Sequence, residues 1–390
     1  MRFPEFKGEW RKTSLGNCCT SFDYGLNEPA IDYDGVNRYL RITDINDFGH
    51  LINNEKKSPK WFSNDYLVNE RDILLSRTGA TVGKSYLYST TDGKLYFAGY
   101  LIRAHIKESC SKEFIFQETQ KLTYKKWVKL ISARSGQPGI NSKEYASFSF
   151  LAPNLSEQEK IGSLLSLIDQ RIDAQRKTIE DLKIFKEGLL KEIINSFNEA
   201  PKVPLSYFAS IINGYAFNPQ QYSDAGKYKV VTIGNVDGSK YGNFTNMKYV
   251  QELPANLQDE QIISKGDILI SMTGNVGRVS ICPIENALLN QRVALLKLKE
   301  KYSSYKELIY QVISSPLFEN SMNSLGQGAA QKNIGIDDIL SFKVPNIKFD
   351  AVSHNKVNLL SNIDFLIQEE IDILPILMKI KQWLLKNLFV

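Results

Sequence analysis

The segment DILLSRTG at 72–79 returns as DILISMTG at 267–274, which is 195 residues later (267 − 72). Two further pairs of segments keep this spacing: LLSLID (164–169) with LLSNID (359–364), and LLK (189–191) with LLK (384–386). The spacing is half of the 390-residue chain, and matches in register over a half-length indicate an internal repeat. The sequence therefore predicts a duplicated protein with halves near 1–195 and 196–390.

Each half begins with a stretch that has the pattern of a globular domain. Runs such as RYLRITDIND (38–47) and YKVVTIGNVDG (228–238) combine β-branched and aromatic residues with Gly, Asn and Asp, which is typical of short strands and turns. A helical pattern at 301–314 lies between such runs. We predict two similar α+β domains, at 1–153 and 199–349, with mostly antiparallel strand pairing.

A long helix is predicted after each domain, at 154–198 and at 350–390. Apolar residues recur at alternating steps of four and three, the spacing of a heptad seam. The first seam consists of Ile161, Leu165, Ile168, Ile172, Ile179, Leu182, Leu189 and Ile193, with Gln175 and Lys186 at its two polar positions. The second consists of Leu360, Ile363, Ile367, Leu374, Leu377, Leu384 and Leu388, with Glu370 and Lys381 at the matching positions.

The two seams predict that the helices bury each other as an antiparallel coiled coil, since a globular domain between them lets the chain return. A helix of 35–40 residues would be roughly 50–60 Å long. Ser156 and Glu159 have capping-box spacing and predict the start of the first helix. Pro375 predicts a kink or break in the second, because proline removes a helical hydrogen bond. An ordinary helical hairpin is the alternative for the seams taken alone.

Composition sets broad limits on the class of protein. The net charge is +5, which permits a polyanionic partner without requiring one. The four cysteines form no C-x-x-C pair and the three histidines are scattered, so we expect no zinc site and no disulfide framework. The N-terminus has no apolar signal region, and no stretch of about 20 apolar residues could span a membrane. These features predict a cytoplasmic protein without a membrane segment.

Two globular domains, each followed by a long helix, resemble the layout of type I restriction–modification specificity subunits over essentially the whole chain. The opening 2–19, the paired segments 71–88 and 266–281, and the junction SGQPGINSKEYASFSFLAPNLSEQEKIGSLLSLIDQRID at 135–173 carry the resemblance. The resemblance implies that each domain is a target-recognition domain for one half of a split DNA site. It also implies that the helices set the spacing between the half-sites.

The same resemblance implies the partners of the chain. The helices would dock two methyltransferase subunits and, through the complex, the restriction and translocase subunits. S-adenosylmethionine, ATP and Mg²⁺ would belong to those partners, so no cofactor and no metal is expected in this chain. Independently, a reader of split sites needs two similar modules and a stiff separator, because half-site spacing follows the DNA repeat of ~34–36 Å.

The search for catalytic motifs favours a protein without a catalytic site. GATVGKS at 79–85 resembles a phosphate loop but has three residues between its glycines, where that loop needs four. Its repeat at 274–279 is shorter, and strand patterns rather than helices follow both copies. Paired glycines predict a tight hairpin turn instead. The string at 218–222 lacks the second proline of a methyltransferase loop, and Asp337 with Asp338 indicates a turn or a helix start.

Polar and basic loops are the best candidates for DNA contacts, because Arg, Lys, Asn and Gln recognise base edges and phosphates. We expect Tyr24 and Tyr215 to pack rather than to stack on bases. The candidates in the first domain are Arg77, Thr78, Lys84, Arg134, Ser135, Gln137 and Asn141. Those in the second are Thr273, Asn275, Arg278, Gln291, Arg292, Gln327, Gln331, Lys332 and Asn333.

Two other functions stay open at this point. One is a scaffold without affinity for DNA, which the loss of basic loops from one half would favour; both halves keep them. The other is a nucleotide-binding protein that uses the 79–85 loop, for which saturable ATP binding abolished by Lys84→Ala would be the test.

Overall fold

The computed structural model describes residues 2–52, 55–134, 136–195, 200–325, 333–346 and 351–389, and for 351–353 it describes only the backbone. The chain divides into two compact units. Unit 1 consists of Met1–Gln175 and Leu374–Val390, and unit 2 consists of Arg176–Ile373. Each long helix therefore contributes one part to each unit.

Unit 1 contains ten short strands and four helices before its long helix, within the residues described. The strands are β1 (Arg11–Ser14), β2 (Cys19–Tyr24), β3 (Ala30–Asp32), β4 (Arg38–Leu40), β5 (Lys57–Pro59), β6 (Asp72–Ser76), β7 (Ser85–Leu87), β8 (Leu95–Phe97), β9 (Leu101–Ile106) and β10 (Ser149–Ala152). The helices are α1 (Leu15–Cys18), α2 (Lys112–Glu118), α3 (Leu122–Ile131), α4 (Ser142–Ser147) and the long α5 (Leu155–Asn195).

The main sheet of unit 1 has the order β2-β9-β6-β7 and is antiparallel throughout. All five residues of β6 are buried, so the apolar run 73–75 forms a central strand covered on both faces. The smaller pairs are β1 with β10 and β3 with β5, both antiparallel, and β4 with β8, which is parallel. Helices α2 and α4 pack their buried aromatic side chains, Phe114 and Tyr145 among them, into the core below this sheet.

Unit 2 repeats this arrangement. Its strands are β11 (Lys202–Pro204), β12 (Ala209–Asn213), β13 (Tyr228–Val231), β14 (Lys248–Val250), β15 (Ile262–Ile263), β16 (Ile268–Ser271), β17 (Val279–Ile281), β18 (Ala287–Leu289), β19 (Val293–Leu298) and β20 (Lys343–Pro345). Its helices are α6 (Lys306–Ile313), α7 (Pro316–Leu325), α8 (Ile336–Ser341) and the long α9 (Ala351–Asn387).

The sheets of unit 2 confirm the predicted duplication. The order β12-β19-β16-β17 reproduces the main sheet of unit 1, and β11 with β20 reproduces β1 with β10. The second sheet has the order β14-β13-β18-β15. Its pair β13 with β18 is parallel, as is β4 with β8 in unit 1. The α+β class and the mostly antiparallel pairing are confirmed, with one parallel pair of strands per unit among the described residues.

Each unit contains one antiparallel pair of long-helix segments. In unit 1, Asp169 of α5 contacts Lys381 of α9, and Ile161 and Leu165 share a core with Leu384 and Leu388 further along. In unit 2, Lys186 contacts Asp364, while Leu190 and Ile193 cluster with Leu360. Residue numbers rise along one helix as they fall along the other. Every predicted seam residue is buried or half-buried, so the predicted coiled-coil seam is confirmed in each unit.

Two details of the helices differ from the sequence-based expectations. Helix α5 begins at Leu155, and the side chain of Asn154 accepts a hydrogen bond from the N–H of Glu157 at 3.0 Å. The capping residue is therefore Asn154 rather than Ser156, which lies inside the first turn. Helix α9 runs through Pro375 without a break. Of the predicted kink or break, the break is therefore absent, and the kink stays a prediction.

Candidate nucleic-acid interface

In unit 1, three loops that are distant in sequence meet beyond the end of β6. The first is the turn 77–84, the second is the segment 136–141, and the third is the turn before β9. Thr78 pairs with Gly139 as a β-bridge, and the N–H of Ile140 donates to the carbonyl of Arg77 at 2.9 Å. The N–H of Arg77 donates to the carbonyl of Tyr100 at 3.0 Å. Backbone hydrogen bonds thus hold three loops as one surface.

Unit 2 contains the same arrangement of loops beyond β16. Thr273 pairs with Asn333 as a β-bridge, and the N–H of Ile334 donates to the carbonyl of Met272 at 3.0 Å. The N–H of Met272 donates to the carbonyl of Arg292 at 3.0 Å. The backbone framework is therefore common to both units, while the side chains that it presents differ. We call each assembly of three loops a three-loop surface.

The glycine-rich segment at 79–85 is a turn between two strands. Gly79 and Gly83 have φ of 72° and 86°, and their counterparts Gly274 and Gly277 have φ of 69° and 79°. Only glycine adopts such angles without strain, which is why the repeat keeps both glycines. Strand β7 follows directly, as predicted, where a phosphate loop would lead into a helix.

Lys84 lies apart from the other candidates of unit 1. Its Nζ is 2.8 Å from Oδ1 of Asp47 and donates to the carbonyl of Ile45 at 3.3 Å. The hydrogen bond from Lys84 lowers the pKa of the Asp47 carboxyl. An ammonium held by a carboxylate at the side of the turn is poorly placed to bind a nucleotide phosphate, so the geometry favours a turn over a phosphate loop.

Arg77 lies on the three-loop surface next to two aromatic residues. Its guanidinium is 4.8 Å from the centroid of the Tyr24 ring, and Nη1 donates to the carbonyl of Gly99 at 3.3 Å. Tyr24 is 42% exposed and Tyr100 is 61% exposed. The hydroxyl and the N–H of Ser142 contact the Tyr24 hydroxyl and lower its pKa. The Tyr24 ring therefore packs against the Arg77 guanidinium.

The remaining candidates of unit 1 fall into two groups. Thr78 is half-buried in the β-bridge, and Gln137 is exposed on the three-loop surface. Asn141 instead caps α4, because its side chain accepts from the N–H of Glu144 at 2.9 Å. Arg134 forms an ion pair with the carboxylate of Glu144. Ser135 lies outside the described residues.

In unit 2, four candidates lie on the three-loop surface. Asn275, Gln291, Arg292 and Asn333 are exposed there, and Thr273 is half-buried in the bridge. The Thr273 hydroxyl is buried without a hydrogen-bond partner among the described residues. Arg278 lies to the side, where its Nε is 3.4 Å from Oε1 of Glu319. Gln327, Gln331 and Lys332 lie outside the described residues.

Asn290 fixes the turn that carries Gln291 and Arg292. Its side-chain amide donates to the hydroxyl of Tyr222 at 2.7 Å and accepts from the N–H of Arg292 at 3.1 Å. Burial raises the pKa of Tyr222, which keeps its hydroxyl protonated. Tyr215, whose carbonyl accepts from the N–H of Gln291 at 2.9 Å, packs on Phe217 with the ring centroids 4.9 Å apart, as expected.

The sequence reasoning missed Tyr100, which occupies in unit 1 the place of Arg292 in unit 2. The shared hydrogen bonds to Arg77 and Met272 align these residues with an offset of 192, whereas the repeat offset was 195 in the strand motifs. A three-residue difference in loop length therefore concealed the correspondence. Among the described residues, no helix is long and apolar enough to span a membrane. The same part of the chain contains no cluster of three or more His, Cys, Asp or Glu side chains suited to a metal ion.

Two similar α+β units, each with its own three-loop surface and its own segment of paired helices, define a protein with duplicated recognition modules. The family model for the type I restriction modification DNA specificity domain matches residues 10–183 and again residues 200–347. The chain therefore belongs to this family, and it is a type I specificity subunit with two DNA specificity domains. Family membership also supports the prediction that the chain itself is not an enzyme.

Two relatives agree with this assignment. The specificity subunit of the type I restriction enzyme MjaVIII from Methanocaldococcus jannaschii is 24% identical over 311 residues, which are 74% of this chain and 71% of the relative. The crystal structure of the type I restriction–modification S subunit from M. genitalium has the same fold, with a TM-score of 0.65 and 14% identity. That comparison covers 100% of this chain and 99% of the other.

Proposed function

We propose that unit 1 and unit 2 each recognise one half of a split duplex DNA site through their three-loop surfaces. The paired helices would set the spacer between the half-sites and dock two methyltransferase subunits. Restriction and translocase subunits would join through the complex. S-adenosylmethionine, ATP and Mg²⁺ would act in those partners, and the complex would work in the cytoplasm.

The observation that carries this proposal is the shared framework with different exposed side chains. The turn before β9 presents Gly99 and Tyr100, whereas the equivalent turn before β19 presents Gln291 and Arg292. Arg and Gln side chains recognise guanine and adenine edges, and a change of side chains at a fixed position changes the preferred base. Two copies that share the hydrogen bonds between their loops but present unequal side chains suit two unequal half-sites.

The outer faces of the long helices support docking of protein partners. In unit 2, the exposed apolar side chains on α9 include Leu359, Leu366 and Ile373, spaced one heptad apart. In unit 1, they include Ile376, Ile380 and Trp383. Contiguous exposed apolar residues are typical of surfaces that bind other proteins. Since both units carry such a face, each could hold one copy of the same partner.

The proposal is tested by purifying the full chain with its methyltransferase subunits and mapping the methylated adenines in host DNA. We expect a split target with a fixed spacer. The double variant Gln291→Ala, Arg292→Ala should lose base discrimination in one half of the target, at roughly 1–3 kcal/mol for each lost bidentate contact. Gln137→Ala should weaken recognition in the other half only.

Lys297→Ala is the matched control, because it removes a positive charge from β19, five residues beyond Arg292. Lys297 is exposed and pairs with Glu260 at 3.2 Å. At about 3.3 Å per residue, it lies roughly 16 Å along the strand from the three-loop surface. We expect the complex with Lys297→Ala to methylate the same target as the wild-type complex. Loss of recognition that is equal for every sequence, or equal in the control, would contradict recognition of bases by these loops.

A further inference from the structure

One buried aspartate lies beside the helix seam of each unit. Asp169 of α5 and Asp364 of α9 are each only 6% exposed. Both end the repeated motif LLSxID, at 164–169 and 359–364, so they occupy equivalent places in the duplicated chain. A carboxylate buried beside an apolar seam needs partners that compensate for its lost hydration. The structure provides the same kinds of partner in both units.

In unit 1, three elements supply the groups around Asp169. The Nζ of Lys381 on α9 is 2.5 Å from Oδ1 of Asp169 on α5. The side-chain amide of Gln117 on α2 donates to Oδ2 at 2.8 Å. Lys381 is 6% exposed and Gln117 is 1% exposed. We call Gln117, Asp169 and Lys381 the first seam triad.

In unit 2, the aspartate is on α9 and the lysine is on α5, which is the reverse of unit 1. The Nζ of Lys186 on α5 is 2.6 Å from Oδ1 of Asp364 on α9. The side-chain amide of Gln311 on α6, which is fully buried, donates to Oδ2 at 2.6 Å. Gln311, Asp364 and Lys186 form the second seam triad. The lysines are the polar seam residues that the heptad pattern of the sequence revealed, and their aspartate partners were not predicted.

Stability alone is a weak explanation for these triads. Exchanging a buried ion pair for apolar side chains of similar size is often neutral or stabilising, whereas removal of one partner is strongly destabilising. Polar groups at seam positions are best attested as residues that select one register of a coiled coil. The presence of a triad in both copies, with the same three residue types, fits a role in register.

The heptad spacing shows which registers the triads would exclude. A slip of one heptad would bring Asp169 opposite Leu388 or Leu374 instead of Lys381. It would likewise bring Asp364 opposite Ile193 or Ile179 instead of Lys186. Apolar seam residues tolerate such a shift, because leucine and isoleucine recur at the same spacing. A buried carboxylate opposite an apolar side chain does not tolerate it.

Each glutamine adds a connection from the helix seam to the globular part of its unit. Gln117 follows Phe116 on α2, which packs in the same core as β6 and β9. Gln311 follows Tyr310 on α6, which packs in the core that contains β16 and β19. One aspartate oxygen therefore contacts the partner helix, and the other contacts the domain that carries the three-loop surface.

We propose that the two seam triads are positioning residues that fix the register of the helices and of each recognition domain on them. They thereby restrict the number of base pairs accepted between the half-sites. This inference rests on the proposed function. A slip of one heptad displaces a helix by about 10 Å at 1.5 Å per residue. At 3.4 Å per base pair, that displacement equals roughly three base pairs of DNA.

The test uses the complete methyltransferase complex and duplexes that keep both half-sites but vary the spacer by one to three base pairs. The unit 1 variant Gln117→Leu, Asp169→Leu, Lys381→Leu replaces the whole first triad with apolar side chains. Methylation rates for each spacer length are compared with those of the wild-type complex. We expect the preference for the natural spacer to fall at least fivefold, while base preferences within each half-site stay unchanged.

Two further variants keep the test decisive if the triple variant fails to assemble. The exchange Asp169→Lys with Lys381→Asp preserves an ion pair, so we expect the natural spacer preference to be kept. Gln117→Met removes only the connection to α2 and should lower the preference by a smaller factor, of about two to three. Gln170→Leu, on the exposed face next to Asp169, is the matched control and should leave the spacer preference unchanged.

The outcomes separate the inference from the function on which it rests. A wild-type complex that methylates no split target would contradict the proposed function. A wild-type complex with a fixed spacer, combined with unchanged spacer preference in the triple variant or in Gln117→Met, would overturn only the role of the triads. Loss of all activity in Gln117→Met, at every spacer length, would also overturn it, because a general structural role would then suffice.

Discussion

The two seam triads consist of the same three residue types, but the charged groups around them differ. In unit 2, the ammonium of Lys240 is 3.6 Å from Asp364 and 3.0 Å from Glu307, and it donates to the Ser361 hydroxyl at 2.9 Å. In unit 1, Asp169 contacts Lys381 and Gln117. A duplicated framework can therefore keep one geometry while its two copies depend on that geometry to different degrees.

The largest expected effect comes from removing the charge at the centre of each triad. Asp364→Asn leaves two half-buried ammonium groups, Lys186 and Lys240, without that carboxylate, whereas Asp169→Asn leaves one, that of the buried Lys381. We expect Asp364→Asn to lower the free energy of unfolding of unit 2 by about 3–5 kcal/mol. Asp169→Asn should lower the free energy of unfolding of unit 1 by a smaller amount. Hydrogen exchange in α6 and α2 of the full chain measures the two losses separately.

Asp372→Asn is the control for these variants. Asp372 is an exposed aspartate on α9 whose carboxylate accepts from Gln368 at 2.9 Å. Its replacement should change stability by less than about 0.5 kcal/mol. An equal or larger loss for Asp169→Asn than for Asp364→Asn would show that Lys240 and Glu307 do not make unit 2 more dependent on its aspartate.

The second effect is a dependence of stability on pH. It is expected from a position in unit 1 whose equivalent in unit 2 carries no titratable group. Glu118 follows Gln117 on α2, and Val312 follows Gln311 on α6. Glu118 is 1% exposed, and burial raises its pKa from 4.5 to about 7, although Lys121 lies 3.1 Å away and opposes the shift. Folding therefore favours the protonated carboxyl.

The sign of the effect follows from this raised pKa. Below about pH 4.5 both the folded and the unfolded chain are protonated at Glu118, so the group has no effect. Stability then falls as the pH rises to about 7, because the unfolded state ionises first, by up to roughly 3 kcal/mol. We expect Glu118→Gln to remove this dependence, as measured by urea unfolding of the full chain at pH 5 and pH 8. The exposed Glu108→Gln is the control, and an equally flat profile for wild type would contradict the buried charge.

The sequence predicted those features that depend on local pattern. The repeat, the heptad seams and the paired glycines at 79 and 83 follow from spacing or from the backbone angles that only glycine adopts easily. Lys186 and Lys381 were visible as polar interruptions of a seam. Asp169 was not recognised as the partner of Lys381, because pairing between antiparallel helices depends on a register that the sequence leaves open.

The three-loop surface was predicted only in part, for a related reason. Thr78, Gln137 and Arg292 were chosen by residue type, and the structure brings them onto these surfaces. Asn141 has the same residue type as a base-reading side chain, yet it caps α4. Residue type alone does not distinguish a cap from a contact, since an asparagine side chain can either cap a helix or form hydrogen bonds with a base edge.

The smallest expected effect concerns a buried hydroxyl that only unit 1 has at the equivalent place. Tyr145 on α4 donates to the carbonyl of Ser76 at 2.6 Å, whereas Ile339 occupies this place on α8 of unit 2. Tyr145→Phe should lower the stability of unit 1 by about 1 kcal/mol, because the carbonyl of Ser76 keeps its second hydrogen bond, from the N–H of Gly83 at 3.0 Å. Hydrogen exchange of β6 measures this loss, with Tyr100→Phe on the exposed loop as the control. A loss of 3 kcal/mol or more would mean that the hydroxyl anchors the end of β6, and with it the three-loop surface of unit 1, in a way that unit 2 achieves by apolar packing alone.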